Sequence, residues 1–189
     1  MKNIAIFASG EGTNAESIIT YFRRPGSKAA VTLIISNRSD AGVVGRAEAL
    51  GVDCAIVTRD EFRDTDSLLD ILDSHKIDII VLAGFLLMIP PALVDRYRGR
   101  IVNIHPALLP AFGGKGMYGR HVHEAVVASG ATETGITIHH VNEHYDDGDI
   151  IFQASVPVDP ADTPDDVARK VRTLELTHFA PTLSLTFGL

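Results

Sequence analysis

"IDIIVLAG", Ile77 to Gly84, is the most continuously apolar run of the chain. Its β-branched residues and short length read as a strand. The lack of apolar/polar alternation means that both faces are covered, which places this strand in the middle of a parallel sheet. Outward from it, short apolar runs alternate with helical patterns. Before it come strand "NIAIFAS" (3–9) and a helix from about Asn14, strand "AAVTLIIS" (29–36) and a helical "GVVGRAEALG" stopping at Gly51. Strand "DCAIV" (53–57) and the helically spaced "SLLDILDSHK" (67–76) complete that side. After it comes a fifth strand, "RIVNIH" (100–105). Such a rhythm builds right-handed βαβ crossovers.

The pattern then changes. A Gly-rich loop (113–119) and a helix near "RHVHEAVVAS" lead to two closely spaced strands, "GITIHHV" and "DIIFQASVPV", joined by the turn-like "NEHYDDGD". This pair reads as an antiparallel extension. The last segment opens with Thr163 and Pro164, which suit a helix start, and reads as one long helix. The expected fold is therefore α/β: a Rossmann-like, open, mainly parallel sheet with helices on both faces and an antiparallel C-terminal extension, residues 1–189 forming one domain.

Composition narrows the partners. With 189 residues, 46% of them hydrophobic and 22% charged, the chain has the make-up of an ordinary globular protein. The net charge of −7 disfavours broad nucleic-acid binding, and no apolar stretch is long enough to span a bilayer. The lone Cys54 excludes an internal disulfide framework and reads as a small buried hydrophobe. No secretory pattern precedes the first strand, so a cytoplasmic protein acting on small molecules is expected.

Three stretches can carry chemistry. In "SGEGTN" (9–14), Gly10 and Gly12 let backbone approach a ligand, and the helix start offers free N–H groups to an anion. With Ala15 the stretch also matches G-x-G-x-x-A, so a dinucleotide remains an alternative. The second strand ends in Ser36 and Asn37 rather than an acid, leaving Arg38 to meet a 2′-phosphate. In "NIHPALLP" (103–110), Asn103 and His105 share one strand face at the carboxyl edge of the sheet, and Pro106 and Pro110 stiffen the exit. In "HHVNEHYDDGD", His139 and His140 point to opposite faces, and the acidic turn lacks EF-hand spacing, which disfavours a metal. If this turn folds over the fifth strand, a carboxylate reaches His105 and raises its pKa. His121 and His123 read as surface residues.

These motifs, in this order and together with "VLAGFLLMIP" and "YDDGDIIFQ", resemble the phosphoribosylglycinamide formyltransferases, a folate-dependent family. The resemblance covers essentially the whole chain. It implies that Asn103, His105 and Asp146 form a catalytic triad. It also implies that Gly12, Thr13, Asn14 and Glu175 hold the phosphate and ribose of glycinamide ribonucleotide. Leu86, Leu87, Met88 and Ile89 would line a pteridine pocket, with Asn103 also facing the cofactor and Arg59 approaching the folate. The implied co-substrate is 10-formyltetrahydrofolate, with no metal, in a monomer or homodimer. Ala107 stands where relatives carry serine, and Leu87 where one carries a basic residue.

Overall fold

A computed structural model describes residues 1–189. Seven strands form one sheet in the order β3-β2-β1-β4-β5-β6-β7. β1 (Lys2–Phe7), β2 (Ala29–Ser36), β3 (Asp53–Ile56), β4 (Ile79–Leu82) and β5 (Ile101–His105) pair in parallel. β6 (Glu133–His140) and β7 (Ile150–Pro157) continue the sheet antiparallel, as their short connection requires. The order reverses between β1 and β4, so a crevice opens where the loops after those strands part.

Helices α1 (Thr13–Phe22), α2 (Gly42–Leu50), α6 (Arg120–Ala128) and α7 (Pro164–Phe187) bury their apolar faces against one side. α4 (Thr65–Ser74) and α5 (Pro91–Arg96), with the single-turn α3 (Arg59–Arg63), cover the other. Strand alternation sorts the cores: Ile4, Ile6 and Ala8 join the first, Ala5 and Phe7 the second. The four residues of β4 are all buried, so the opening run sits at the centre as its composition requires. α7 begins with a capping box in which Thr163 and Asp166 satisfy each other's backbone N–H. None of the helices is long and apolar enough to cross a membrane.

The short α3 and α5 interrupt stretches that carry no clear helical periodicity. α3 forms because Thr58 and Glu61 close a capping box, and α5 because Pro91 starts a helical turn. More consequential is the face of β5–β6 away from Val102, Ile104, Ile136 and Ile138, which pack in the first core. The exit of the "NIHPALLP" stretch lies across it. Buried Thr137 accepts from the Leu109 N–H at 2.9 Å and donates to the Ala107 carbonyl at 2.7 Å. Gln153 donates to the Leu109 carbonyl at 3.0 Å. Irregular backbone can be buried there because these side chains replace the missing ladder.

Candidate active site

Ser9, at the end of β1, ties the crevice together. Its N–H donates to the Gly84 carbonyl at 3.1 Å, and its hydroxyl accepts from the Leu86 N–H at 3.0 Å. The same hydroxyl donates to Asn37 at 2.5 Å. Asn37 is thereby engaged, and Arg38 is forked onto Asp40 at 3.1 and 2.8 Å. The two groups that a dinucleotide would need are occupied elsewhere.

Beyond Ser9 the backbone enters α1 through Gly12, at φ 77°. A Cβ there would lie 2.7 Å from Val43 Cα, so the position demands glycine on two counts. No side chain caps α1, leaving its first N–H groups free. Asn14 crosses to the last helix, where its Nδ2 donates to Glu175 Oε2 at 2.9 Å, while its buried Oδ1 has no partner. Burial pushes the Glu175 carboxyl above the ordinary range, against the pull of Asn14 and Arg172. Arg172, one turn earlier on α7, reaches the Thr13 hydroxyl at 3.3 Å and places a guanidinium at the mouth of the loop. Nothing in its helical context distinguished it in sequence; only the packing of α7 against α1 reveals it. The structure thus brings Gly12, Thr13, Asn14 and Glu175 together and adds Arg172.

The second pole lies at the end of β5. His105 is buried between two residues with left-handed backbone, Phe112 (φ 55°) and Asp146 (φ 51°). Its Nε2 donates to the Phe112 carbonyl at 2.8 Å, and its Nδ1 lies 3.5 Å from Asp146 Oδ2. Asp146 also accepts the Gly114 N–H at 2.9 Å, fastening the glycine-rich segment to the same corner. Non-glycine residues in this conformation store strain, and two of them flank this one imidazole.

The expected rise in the His105 pKa is not observed. Burial, the largest influence, lowers it, and outweighs the Asp146 charge and the Phe112 carbonyl. A carboxylate 3.5 Å away is too loosely engaged to offset desolvation. Asp146 itself is pushed up by burial, but the nearby His139 ring, with Nε2 3.7 Å from Oδ1, the His105 charge and the Gly114 N–H hold it below the usual carboxylate range. It is therefore the ionised member of the pair.

Asn103 faces His139, its direct neighbour across the β5–β6 ladder, with Nδ2 3.0 Å from Nε2. His140 points the other way, its ring edge-on to Phe187 at 6.5 Å. His121 is exposed, as expected, but His123 is buried on the inner face of α6 with an unpartnered Nδ1. Burial lowers its pKa, aided by the charge of His105. The sequence reading missed both His139 and His123. The antiparallel pairing that sets Asn103 opposite His139 was the signal that could have found the first.

The segment after β4 is mixed. Leu86 and Met88 are exposed toward the crevice, whereas Ile89 is only 5% exposed and belongs to the core, with Leu87 packed against it. The first two present the most apolar surface, Leu87 presents part of its own, and Ile89 almost none. Arg59 is exposed at the start of α3, beyond β3, and three strands separate β3 from β5. The fold does not bring it to the imidazole corner.

An open α/β sheet whose crevice joins an uncapped helix start to a carboxylate–imidazole–amide corner defines the class of molecule. The chain belongs to the formyl transferase family, whose model matches residues 2–183. The chloroplastic phosphoribosylglycinamide formyltransferase of Arabidopsis thaliana is 41% identical over 175 residues, covering 90% of this chain and 60% of that one. The phosphoribosylglycinamide formyltransferase of Haemophilus influenzae is 37% identical over 179 residues, covering 93% and 82%. The crystal structure of glycinamide ribonucleotide transformylase 1 from Geobacillus kaustophilus superposes with a TM-score of 0.89 at 34% identity, over 98% of both chains. The chain spans 56–60% of the length of the plant relatives.

Proposed function

We propose that this protein transfers the formyl group of 10-formyltetrahydrofolate to the amine of glycinamide ribonucleotide, a step of purine synthesis. The observation that carries this reading is the convergence of Asn103, His105 and Asp146 at one strand end, across the crevice from an uncapped, glycine-entered helix start. An acyl transfer needs such a corner, and a phosphosugar needs such a cradle.

The amine nitrogen attacks the formyl carbon, forming a C–N bond and a tetrahedral oxyanion. Asn103 donates its free N–H to that oxygen. As the intermediate collapses, the bond to the folate nitrogen breaks and the proton shed by the amine leaves through Asp146, directly or by water. His105 supplies the proton taken up by the leaving nitrogen. In the free protein its Nε2 is engaged by Phe112 and burial keeps it short of a second proton. The negative charge developing beside it favours the imidazolium, and segment 112–114 must yield for Nε2 to reach the folate. The substrate amine is the nucleophile, so no activated Ser or Cys is required.

Arg172, the α1 start and Thr13 hold the phosphate, while Asn14 and Glu175 take the ribose hydroxyls. Leu86 and Met88 face the pterin, with Leu87 and Ile89 backing them from the core. Asn103 faces the formyl group, and Arg59, at the start of the α3 turn whose Phe62 packs on Phe85, approaches the folate away from the imidazole corner. The chain acts as a monomer or homodimer in the cytoplasm, without a metal.

The test is a spectrophotometric formyl-transfer assay. Consumption of formyl folate that requires glycinamide ribonucleotide supports the reading. Equal consumption without the ribonucleotide would make the protein a hydrolase of formyl folate. Binding of the ribonucleotide with no formyl transfer would make it a phosphosugar-binding module.

A further inference from the structure

His139 has no part in the reaction just described, yet it is 2% exposed and lies against the catalytic amide. Its Nδ1 is 2.8 Å from the His140 carbonyl, a group that only accepts, so Nδ1 carries the hydrogen. The neutral ring then presents a bare Nε2, an acceptor, 3.0 Å from Asn103 Nδ2. The amide must meet it with an N–H. One hydrogen of the NH2 is thereby spent on His139, the other is aimed outward, and Oδ1 is turned away. The β6–β7 register shifts between Ile138 and His139, a local irregularity of the kind that re-aims a side chain.

The orientation matters because an asparagine amide is nearly two-fold about its last torsion. Turned over, it would present a carbonyl to a developing oxyanion and oppose the reaction. We infer that His139 is a positioning residue whose tautomer, locked by the His140 carbonyl, fixes Asn103 as a donor toward the formyl oxygen. The inference deepens the proposed function and rests on it for its catalytic consequence, but not for the orientation itself.

The experiment compares His139→Leu, which has no acceptor, with His139→Gln, whose Oε1 can occupy the Nε2 position while its NH2 faces Asp146. For His139→Leu, kcat falls about tenfold, part of the ~100-fold that one oxyanion donor supplies. The KM for the ribonucleotide stays within about twofold, since the phosphate loop lies on other elements. His139→Gln recovers most of kcat, the rescue that a merely space-filling role for the ring would not give. Nitrogen-15 spectra of the wild-type protein show the Nδ1–H tautomer at neutral pH. Undiminished turnover in His139→Leu overturns the inference. So does failure of His139→Gln to exceed it, or an Nε2–H tautomer in the spectra. If His139→Leu does not fold, the wild-type spectra and His139→Gln still decide. A wild-type protein without formyl transfer refutes the proposed function alone, leaving the tautomer to test the orientation.

Discussion

The two poles of the crevice are built from different materials. The phosphate pole is backbone: a glycine at φ 77°, an uncapped helix start, and two side chains reaching in from α7, 159 and 161 residues away. The transfer pole is side chain: two buried imidazoles with a half-buried carboxylate and amide, flanked by left-handed backbone at Phe112 and Asp146. The N–H groups of the first pole have no proton to exchange, and its one buried acid, Glu175, is pushed above the ordinary carboxyl range by burial. A corner of buried titratable groups is held in a charge state by its surroundings and responds to pH and to charge appearing on a ligand. The proposed function assigns gripping to one material and chemistry to the other.

The sharpest way to break that division is at the carboxylate. Asp146→Asn removes the charge that faces both His105 and His139, and turnover should fall about 10²–10⁴-fold, the range for a positioned acid–base group. Ribonucleotide binding by calorimetry should change little, because the cradle shares no hydrogen bond with this corner. Loss of binding in step with turnover would show that the poles are not separable.

Gly12→Ala tests the opposite pole. The added methyl meets Val43 at 2.7 Å in a left-handed conformation, so about 1–3 kcal/mol of stability should be lost in urea titration. The ribonucleotide KM should rise well before kcat falls. Equal damage to both would contradict the division.

Thr137→Val is isosteric and lies behind the transfer pole. It leaves the Leu109 N–H and the Ala107 carbonyl short of a partner, at about 1–3 kcal/mol, measurable as a lower denaturation midpoint. Its effect on ribonucleotide binding should be nil.

The smallest expected effect concerns pH. His105 and His123 both have folded-state pKa values lowered below the ordinary histidine value by burial. Between the folded and unfolded values the unfolded chain binds more protons. Their contribution is therefore fully present above about pH 6.5 and is lost as pH falls through the folded values. Thermal midpoints should drop on mild acidification, and His123→Leu should flatten that drop while leaving the midpoint at pH 8 within a few degrees. An unchanged slope would remove His123 from the account.

The contrast between the poles also explains what could be read in advance. The parallel half is written in local chemistry: β-branched runs, Gly51 after α2, Thr163–Pro164 before α7. Asn103 and His105 were legible because strand alternation puts them on one face. The Gly12–Asn14 loop was legible because glycine at a strand-to-helix turn has few other uses. Arg172 and His139 were not, since each becomes functional only through a partner on another element. The His105 pKa was misjudged for a related reason: a nearby carboxylate can be anticipated from a motif, but the depth of burial that outweighs it cannot. Ile89 shows the same limit, drawn into the core at 5% exposure.

The central claim is that the Asn103–His105–Asp146 corner carries out the transfer while the Gly12 loop holds the ribonucleotide. The most direct measurement is single-turnover formyl transfer by Asn103→Ala, paired with calorimetric titration of the ribonucleotide. The account predicts a rate lower by about 100-fold or more with the dissociation constant unchanged. A near-normal rate, or a rate lost only through weakened binding, would contradict it.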